Sequence, residues 1–116
     1  MISEKQVAAN SGFRSTRTEK EVEEKFHALL TDWRNQTRLE SNYAKIMMHP
    51  SFRRILALGP QAVPYILRDM KNGRGGAWFQ ALEDITGENP IPPEHEVDSS
   101  LMIADWLEWG RRNGII

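Results

Sequence analysis

The sequence carries the pattern Gly-x-x-x-(Val/Ile)-Pro twice, over 59–64 and again over 87–92. Each copy closes an apolar stretch with helical spacing. A Gly that ends a helix adopts the left-handed conformation that other residues resist, and a nearby Pro stops or restarts a helix. The pattern therefore predicts short helices joined by rigid corners, with little strand. It indicates an architecture and names no reaction.

The composition limits the classes of function. The chain has 116 residues, 40% of them hydrophobic and 27% charged, which suits one globular domain with its own core. A net charge of −1 argues against a nucleic-acid binder, which usually carries a basic excess. The absence of Cys excludes disulfides, thiolate zinc sites and thiol nucleophiles. Because no apolar run reaches the roughly 20 residues of a membrane span and no signal peptide is evident, we expect a cytoplasmic protein without membrane contact.

Local signals divide the chain into a flexible N-terminal arm over 1–17 and a single helical domain over 18–116. Thr18 and Glu21 form a capping box, which predicts the start of a long amphipathic first helix. Its apolar residues recur at helical spacing. They are Val22, Phe26, Leu29, Leu30 and Trp33.

Four further helices and one short helical turn are predicted. The turn starts at Tyr43 and stops at His49, because a residue before Pro is biased out of the helical conformation, and His49 is expected to cap the helix that follows. The predicted helices cover 50–58, 60–70, 78–86 and, after a cap at Ser99 or Ser100, the stretch to 113. Three prolines make 89–97 a stiff extended crossing, and the two C-terminal isoleucines are expected to fold back.

This organisation resembles two families. The run LGxxxVPxxL over 58–67, followed by WxxALxxITG over 78–87, resembles a bacterial HEAT-type repeat, a family that stacks antiparallel helix pairs and binds other macromolecules. The longer series HPSFxxI, GPxxVP, WFxALxxITGExP and WLxWG, between 49 and 110, is similar to a family of small bacterial all-helical proteins of uncharacterised function. The resemblances imply a helical fold and a prokaryotic origin, and they bring no catalytic residues. The corner over 72–76 is longer and richer in Gly than is usual in the second family.

Residues suited to catalysis or metal binding are scattered. His27, His49 and His95 lack the close spacing of histidine metal ligands. Glu83 and Asp84 would suit a general acid and base, but an amphipathic helix requires such charges on its outer face. We therefore predict no catalytic residue, no cofactor and no metal.

The predicted fold is all-α, a bundle of about five helices with a HEAT-like helix pair in the middle. The predicted function is a non-enzymatic protein-interaction module, such as a bacterial adaptor or an inhibitor-like or antitoxin-like partner of another protein. Trp106 and Trp109 are three positions apart, so we expect one of them at the surface. The predicted contact residues are Arg53, Arg54, Arg68, Trp78 and Trp109.

Two alternatives stay open at this stage. The helices over 50–58 and 61–70 could form a helix-turn-helix of a nucleic-acid-binding regulator, although the overall charge argues against it. A small carboxylate-dependent hydrolase is the other alternative. The partner is expected to be another protein of unknown identity, and a homo-oligomer is left open.

Overall fold

Six α-helices follow one another along the chain. In this computed structural model the backbone is described for 3–73 and 75–116, and the side chains for 19–73 and 75–116. The helices are α1 (Ser3–Thr37), α2 (Tyr43–Met48), α3 (Pro50–Ala57), α4 (Val63–Met70), α5 (Ala77–Thr86) and α6 (Ser99–Arg112). Short 3-10 turns cover Gly59–Ala62 and Pro93–His95. The structure is 74% helical without a strand in the described ranges, so the all-α prediction is confirmed.

The glycine corners have the predicted backbone conformation. Gly87, with a φ of 72°, is the left-handed cap of α5, and Gly59 has a φ of 70° after α3. The helix predicted over 60–70 differs from the structure, because α4 begins only at Val63 and a 3-10 turn precedes it. The physical reason is that Pro64 has no N–H to donate to the carbonyl of Pro60.

The first helix starts earlier than the sequence predicts. The helix begins at Ser3 and continues through Thr18, so the capping-box pattern does not mark a helix start. A capping box acts only where the preceding residues leave the helix. The predicted arm over 1–17 includes two residues, Met1 and Ile2, that lie outside the described part of the chain. That the arm is mobile stays a prediction.

The start of α6 is also one residue from its predicted position. The cap is Asp98, whose Oδ1 accepts hydrogen bonds from the N–H groups of Ser100 (2.9 Å) and Leu101 (3.2 Å). A carboxylate at this position satisfies two free N–H groups and also favours the positive end of the helix dipole. The preceding crossing contains the 3-10 turn, which a hydrogen bond between His95 Nδ1 and Asp105 Oδ2 (2.7 Å) attaches to α6.

An aromatic cluster forms the centre of the core. Phe26 and Trp33 come from α1, Phe52 from α3 and Trp78 from α5. Their ring centroids lie between 4.7 Å (Trp33 to Phe52) and 6.0 Å (Phe26 to Trp78) apart. Aromatic pairs at such distances contribute about 0.5–1.5 kcal/mol each beyond the burial of their surface. The cluster therefore holds α1 against α3 and α5.

The last helix packs on α4 through a small residue. A Cβ added to Gly110 would lie 2.8 Å from Cδ1 of Leu67, so only Gly allows this close approach. Ile115 folds back and donates its N–H to the Gly110 carbonyl at 2.8 Å, as predicted. Trp106 and Trp109 are both buried, at 1% and 7% exposure. The prediction that one of the two lies at the surface is therefore wrong.

Candidate protein-binding groove between the first and third helices

The first helix has one buried face and two flanks that meet different helices. Phe26, Leu30 and Trp33 point into the core. One flank, which carries Lys25, lies beside α3, and the other, which carries His27, lies beside α4. This arrangement follows from the helical period of 3.6 residues, which separates neighbouring residues by about 100° around the axis. Each flank borders a different surface depression.

The depression on the α3 side is an apolar groove of about 390 Å³, called here the α1–α3 groove. Two sets of three side chains line it, and both sets have the order cation, Ala, Leu at positions i, i+3 and i+4. The lining residues are Lys25, Ala28, Leu29, Arg54, Ala57 and Leu58. Residues three and four apart share one side of a helix, so each helix turns a matching strip toward the groove.

The lining residues have distinct roles. Leu29 and Leu58 are half-buried and form an apolar floor. The small side chains of Ala28 and Ala57 leave open the space above it. Lys25 and Arg54 are exposed at the rim, and among the described residues neither has an ion pair. An apolar floor with two unpaired cations suits an apolar side chain that has acidic neighbours.

A ring of side-chain hydrogen bonds fixes the two walls at one end. Ser51 Oγ donates to Asp32 Oδ2 at 2.5 Å, and Gln36 Nε2 donates to Asp32 Oδ1 at 2.7 Å. His49 completes the ring, with Nε2 2.8 Å from Gln36 Oε1 and Nδ1 accepting from the Ser51 N–H at 3.1 Å. Because Nδ1 is an acceptor, Nε2 carries the proton and donates to Gln36. The predicted cap of α3 by His49 is confirmed.

This ring contains Ser, His and Asp but lacks the wiring of a catalytic triad. A nucleophilic Ser must donate its hydroxyl proton to the His ring. Here the Ser51 hydroxyl donates to Asp32 instead, and the His49 ring bonds a backbone N–H and Gln36. The exposure of Ser51 is 3%, so a substrate has no access to it. The ring joins α1 to α3 and positions the groove.

The depression on the α4 side is smaller, at about 130 Å³, and more polar, with His27, Tyr65 and Arg68 among its lining residues. The Tyr65 hydroxyl donates to the Glu19 carbonyl at 3.2 Å, and the Arg68 guanidinium lies 5.3 Å from the centre of the Tyr65 ring. Burial is the main cause that raises the pKa of Tyr65; the nearby Glu23 carboxylate adds to the effect and Arg68 opposes it. The Tyr65 hydroxyl and the Arg68 guanidinium in this pocket thus already have contacts within the protein.

The structure separates the predicted contact residues. Arg53 and Arg54 are exposed on α3, whereas Arg68 is exposed on α4, beyond α1. Trp78 is 1% exposed and donates its indole N–H to Asp69 at 2.8 Å. Trp109 is also buried, and its N–H donates to Glu88 at 3.0 Å. The two tryptophans thus belong to the core, which corrects their placement at a contact surface.

Five of the six groove residues were not among the predicted contact residues: Lys25, Ala28, Leu29, Ala57 and Leu58. A signal for them was present. The segments KFHAL over 25–29 and RILAL over 54–58 share the order cation-x-x-Ala-Leu. That two such strips face each other depends on how α1 packs on α3, which no local pattern specifies.

The remaining candidate residues are dispersed. His27 is 3.9 Å from Glu23 on α1, whereas His95 pairs with Asp105 near α6. Glu83 and Asp84 are exposed on α5. Within the described ranges, no three His, Cys, Asp or Glu side chains are grouped so that they could hold a metal ion. Among the helices that the structure describes, none combines the length and the apolar character needed to span a membrane.

The helix-turn-helix alternative places its recognition helix at α4. A recognition helix needs an exposed face to enter the major groove of DNA. Of the eight described residues of α4, only Arg68 is exposed, because the helix packs against both α5 and α6. The structure offers no such face on α4.

Comparison of the chain with protein families, with curated proteins and with solved structures found no match. Its function is therefore inferred from the residues of the groove.

Proposed function

We propose that this protein is a non-enzymatic protein-interaction module whose α1–α3 groove binds an amphipathic segment of a partner protein. The segment would place one or two aliphatic side chains on Leu29 and Leu58, and acidic side chains next to Lys25 and Arg54. The observation that carries the proposal is the combination of an apolar floor with two exposed cations that have no ion pair among the described residues. A role as a bacterial adaptor or inhibitor is part of the same proposal.

The size of the groove supports a regulated contact. Its strips extend over i to i+4, about 6 Å of helix, which is enough for about one turn of a bound segment. Burying one Leu or Ile side chain contributes about 1.5–3 kcal/mol, whereas association costs at least about 4 kcal/mol. The groove alone thus gives weak binding, and the partner gains affinity from neighbouring contacts such as Arg53. Weak and transient interfaces are typical of signalling proteins.

The test is site-specific photo-crosslinking in the native cell. A photo-crosslinking residue replaces Ala28 in the groove and, in a matched control, Ala44, which is likewise exposed on a helix. We expect an adduct from position 28 that maps to an acidic amphipathic segment. In the Arg54→Glu background this adduct should be lost. Adducts equal in yield at positions 28 and 44, or an adduct insensitive to Arg54→Glu, would contradict the proposal.

A further inference from the structure

Two exposed apolar side chains lie at the entrance to α6. Val97 is 95% exposed and Leu101 is 42% exposed, and they are on either side of the N-cap Asp98. A single exposed apolar residue is ordinary on a protein surface. Two of them four positions apart, the first almost fully exposed, form a convex apolar feature, called here the 97–101 knob. None of the residues that the structure describes covers Val97.

The knob lies in a strongly acidic part of the chain. Between 75 and 110 the sequence has no Lys or Arg. It has carboxylates at Glu83, Asp84, Glu88, Glu94, Glu96, Asp98, Asp105 and Glu108. Glu94, Glu96 and Asp98 are exposed next to the knob. The middle of the chain has the opposite sign, with Lys45, Arg53, Arg54, Arg68 and Lys71 against Asp69 over 43–73. A net charge near zero therefore hides two segments of opposite charge.

We infer that the 97–101 knob of one copy occupies the α1–α3 groove of a second copy. The inference rests on the proposed function, because it names the occupant of the same groove. The knob is convex, apolar and flanked by acidic residues, whereas the groove is concave, apolar and edged by Lys25 and Arg54. Opposite charges on two such surfaces favour encounter and fix orientation.

The charges near the groove set the orientation of the contact. Glu21 and Glu24 lie on α1 beside Lys25, toward the N-terminal end of the helix. They repel the acidic knob, so the carboxylates of Glu94 and Glu96 lie closer to Arg54 on α3. The contact joins two different surfaces of the same chain, which makes it heterologous, so each added copy presents a further groove and knob. Self-association of this kind grows with concentration and weakens with salt.

The experiment measures the mass of the purified full chain by sedimentation over concentrations up to about 1 mM. We expect the average mass of the wild type to rise above that of the monomer at low salt. It should fall in about 1 M salt, where the screening length is about 3 Å. Val97→Glu in the knob and Ala28→Glu in the groove should each weaken association at least about tenfold. Ala44→Glu, a matched control at an exposed Ala on α2, away from both groove and knob, should leave it unchanged.

A charge exchange makes the test specific. Arg54→Glu and Glu96→Lys should each weaken self-association, and the double variant that carries both changes should associate again, because the changed groove of one copy then meets the changed knob of the next. Circular dichroism checks that the variants stay helical. A wild type that is monomeric throughout, or a Val97→Glu variant that associates like the wild type, would overturn the inference.

The two proposals fail differently. A monomeric wild type whose position 28 still cross-links to an acidic segment of another protein would overturn only the self-association. If position 28 gives no specific adduct in the cell and none in the purified protein, the groove is not a binding site and both proposals are overturned.

Discussion

Replacing Trp78 with Phe keeps an aromatic ring in the core but removes the indole N–H that donates to Asp69 at 2.8 Å. Asp69 also accepts a hydrogen bond from Arg34 at 3.0 Å, so its carboxylate joins α1, α4 and α5. A hydrogen bond to a charged group contributes about 1.5–3 kcal/mol. The smaller ring leaves unfilled space that costs about 1–2 kcal/mol more. We therefore expect Trp78→Phe to lower the free energy of unfolding by about 2.5–5 kcal/mol.

Trp106 supplies a matched control in the same protein. Its exposure is 1%, equal to that of Trp78, but its Nε1 has no hydrogen-bond partner among the described residues. Trp106→Phe leaves a similar space and also removes a buried unpaired N–H, which relieves a cost of about 1–3 kcal/mol. The net change should be close to zero. The Trp33 N–H donates to the neutral carbonyl of Ile46 at 2.9 Å. The loss of stability in Trp33→Phe should therefore lie between the losses in the other two variants.

The assay is urea unfolding followed by far-ultraviolet circular dichroism, since fluorescence changes when a Trp is removed. Stabilities are compared only for variants whose free energy of unfolding has the same slope against urea concentration. The expected order of destabilisation is Trp78→Phe, then Trp33→Phe, then Trp106→Phe. If Trp106→Phe lost as much stability as Trp78→Phe, the reasoning from hydrogen-bond partners would be refuted.

Two further predictions concern single side chains. His49→Ala removes the acceptor for the Ser51 N–H and should cost about 1 kcal/mol of stability. His49→Asn keeps a capping acceptor and should recover most of that loss. Equal urea midpoints for the two variants would contradict this prediction. Burial raises the pKa of Tyr65 above its ordinary value of 10.0, so the folded state holds this proton more tightly than the unfolded state. The stabilisation is complete below that ordinary value and is lost as pH rises through the pKa of the folded state. Urea midpoints measured between about pH 9 and 11 should fall with rising pH for the wild type and for the control Tyr43→Phe, and should fall less steeply for Tyr65→Phe. Identical slopes of midpoint against pH in all three proteins would rule out this role of Tyr65.

Much of the helix organisation could be predicted because helix ends depend on nearby residues. Gly59 and Gly87 have the expected left-handed conformation, and His49 caps α3 as predicted. The predicted starts of α1 and α6 were wrong, because in each case more than one local signal for the helix end was present. The capping box at Thr18 lies within a longer helix, and the Asp98 carboxylate is the cap although two serines follow it.

The candidate site was predicted only in part. Arg53 and Arg54 are exposed as expected, but Trp78 and Trp109 are in the core, and Arg68 lies on the opposite flank of α1. A tryptophan satisfies both the pattern of a core residue and that of a binding hot spot. Which of the two applies depends on the elements that cover it. For Trp78 these are α1 and α3, which contribute Phe26 and Phe52.

The amino-acid sequence alone determined the all-helical class, the positions of the corners and the amphipathic faces of the helices. These features depend on backbone preferences and on periodicity within a few residues. The packing of α1 on α3 and α5 required the folded structure, because it is set by the fit of Phe26, Trp33, Phe52 and Trp78 from these three helices. That packing brings Lys25 and Arg54 together across an apolar floor and puts Arg68 on the other side. The repeated Gly and Pro corners define the helices, whereas the aromatic core defines which of their surfaces meet.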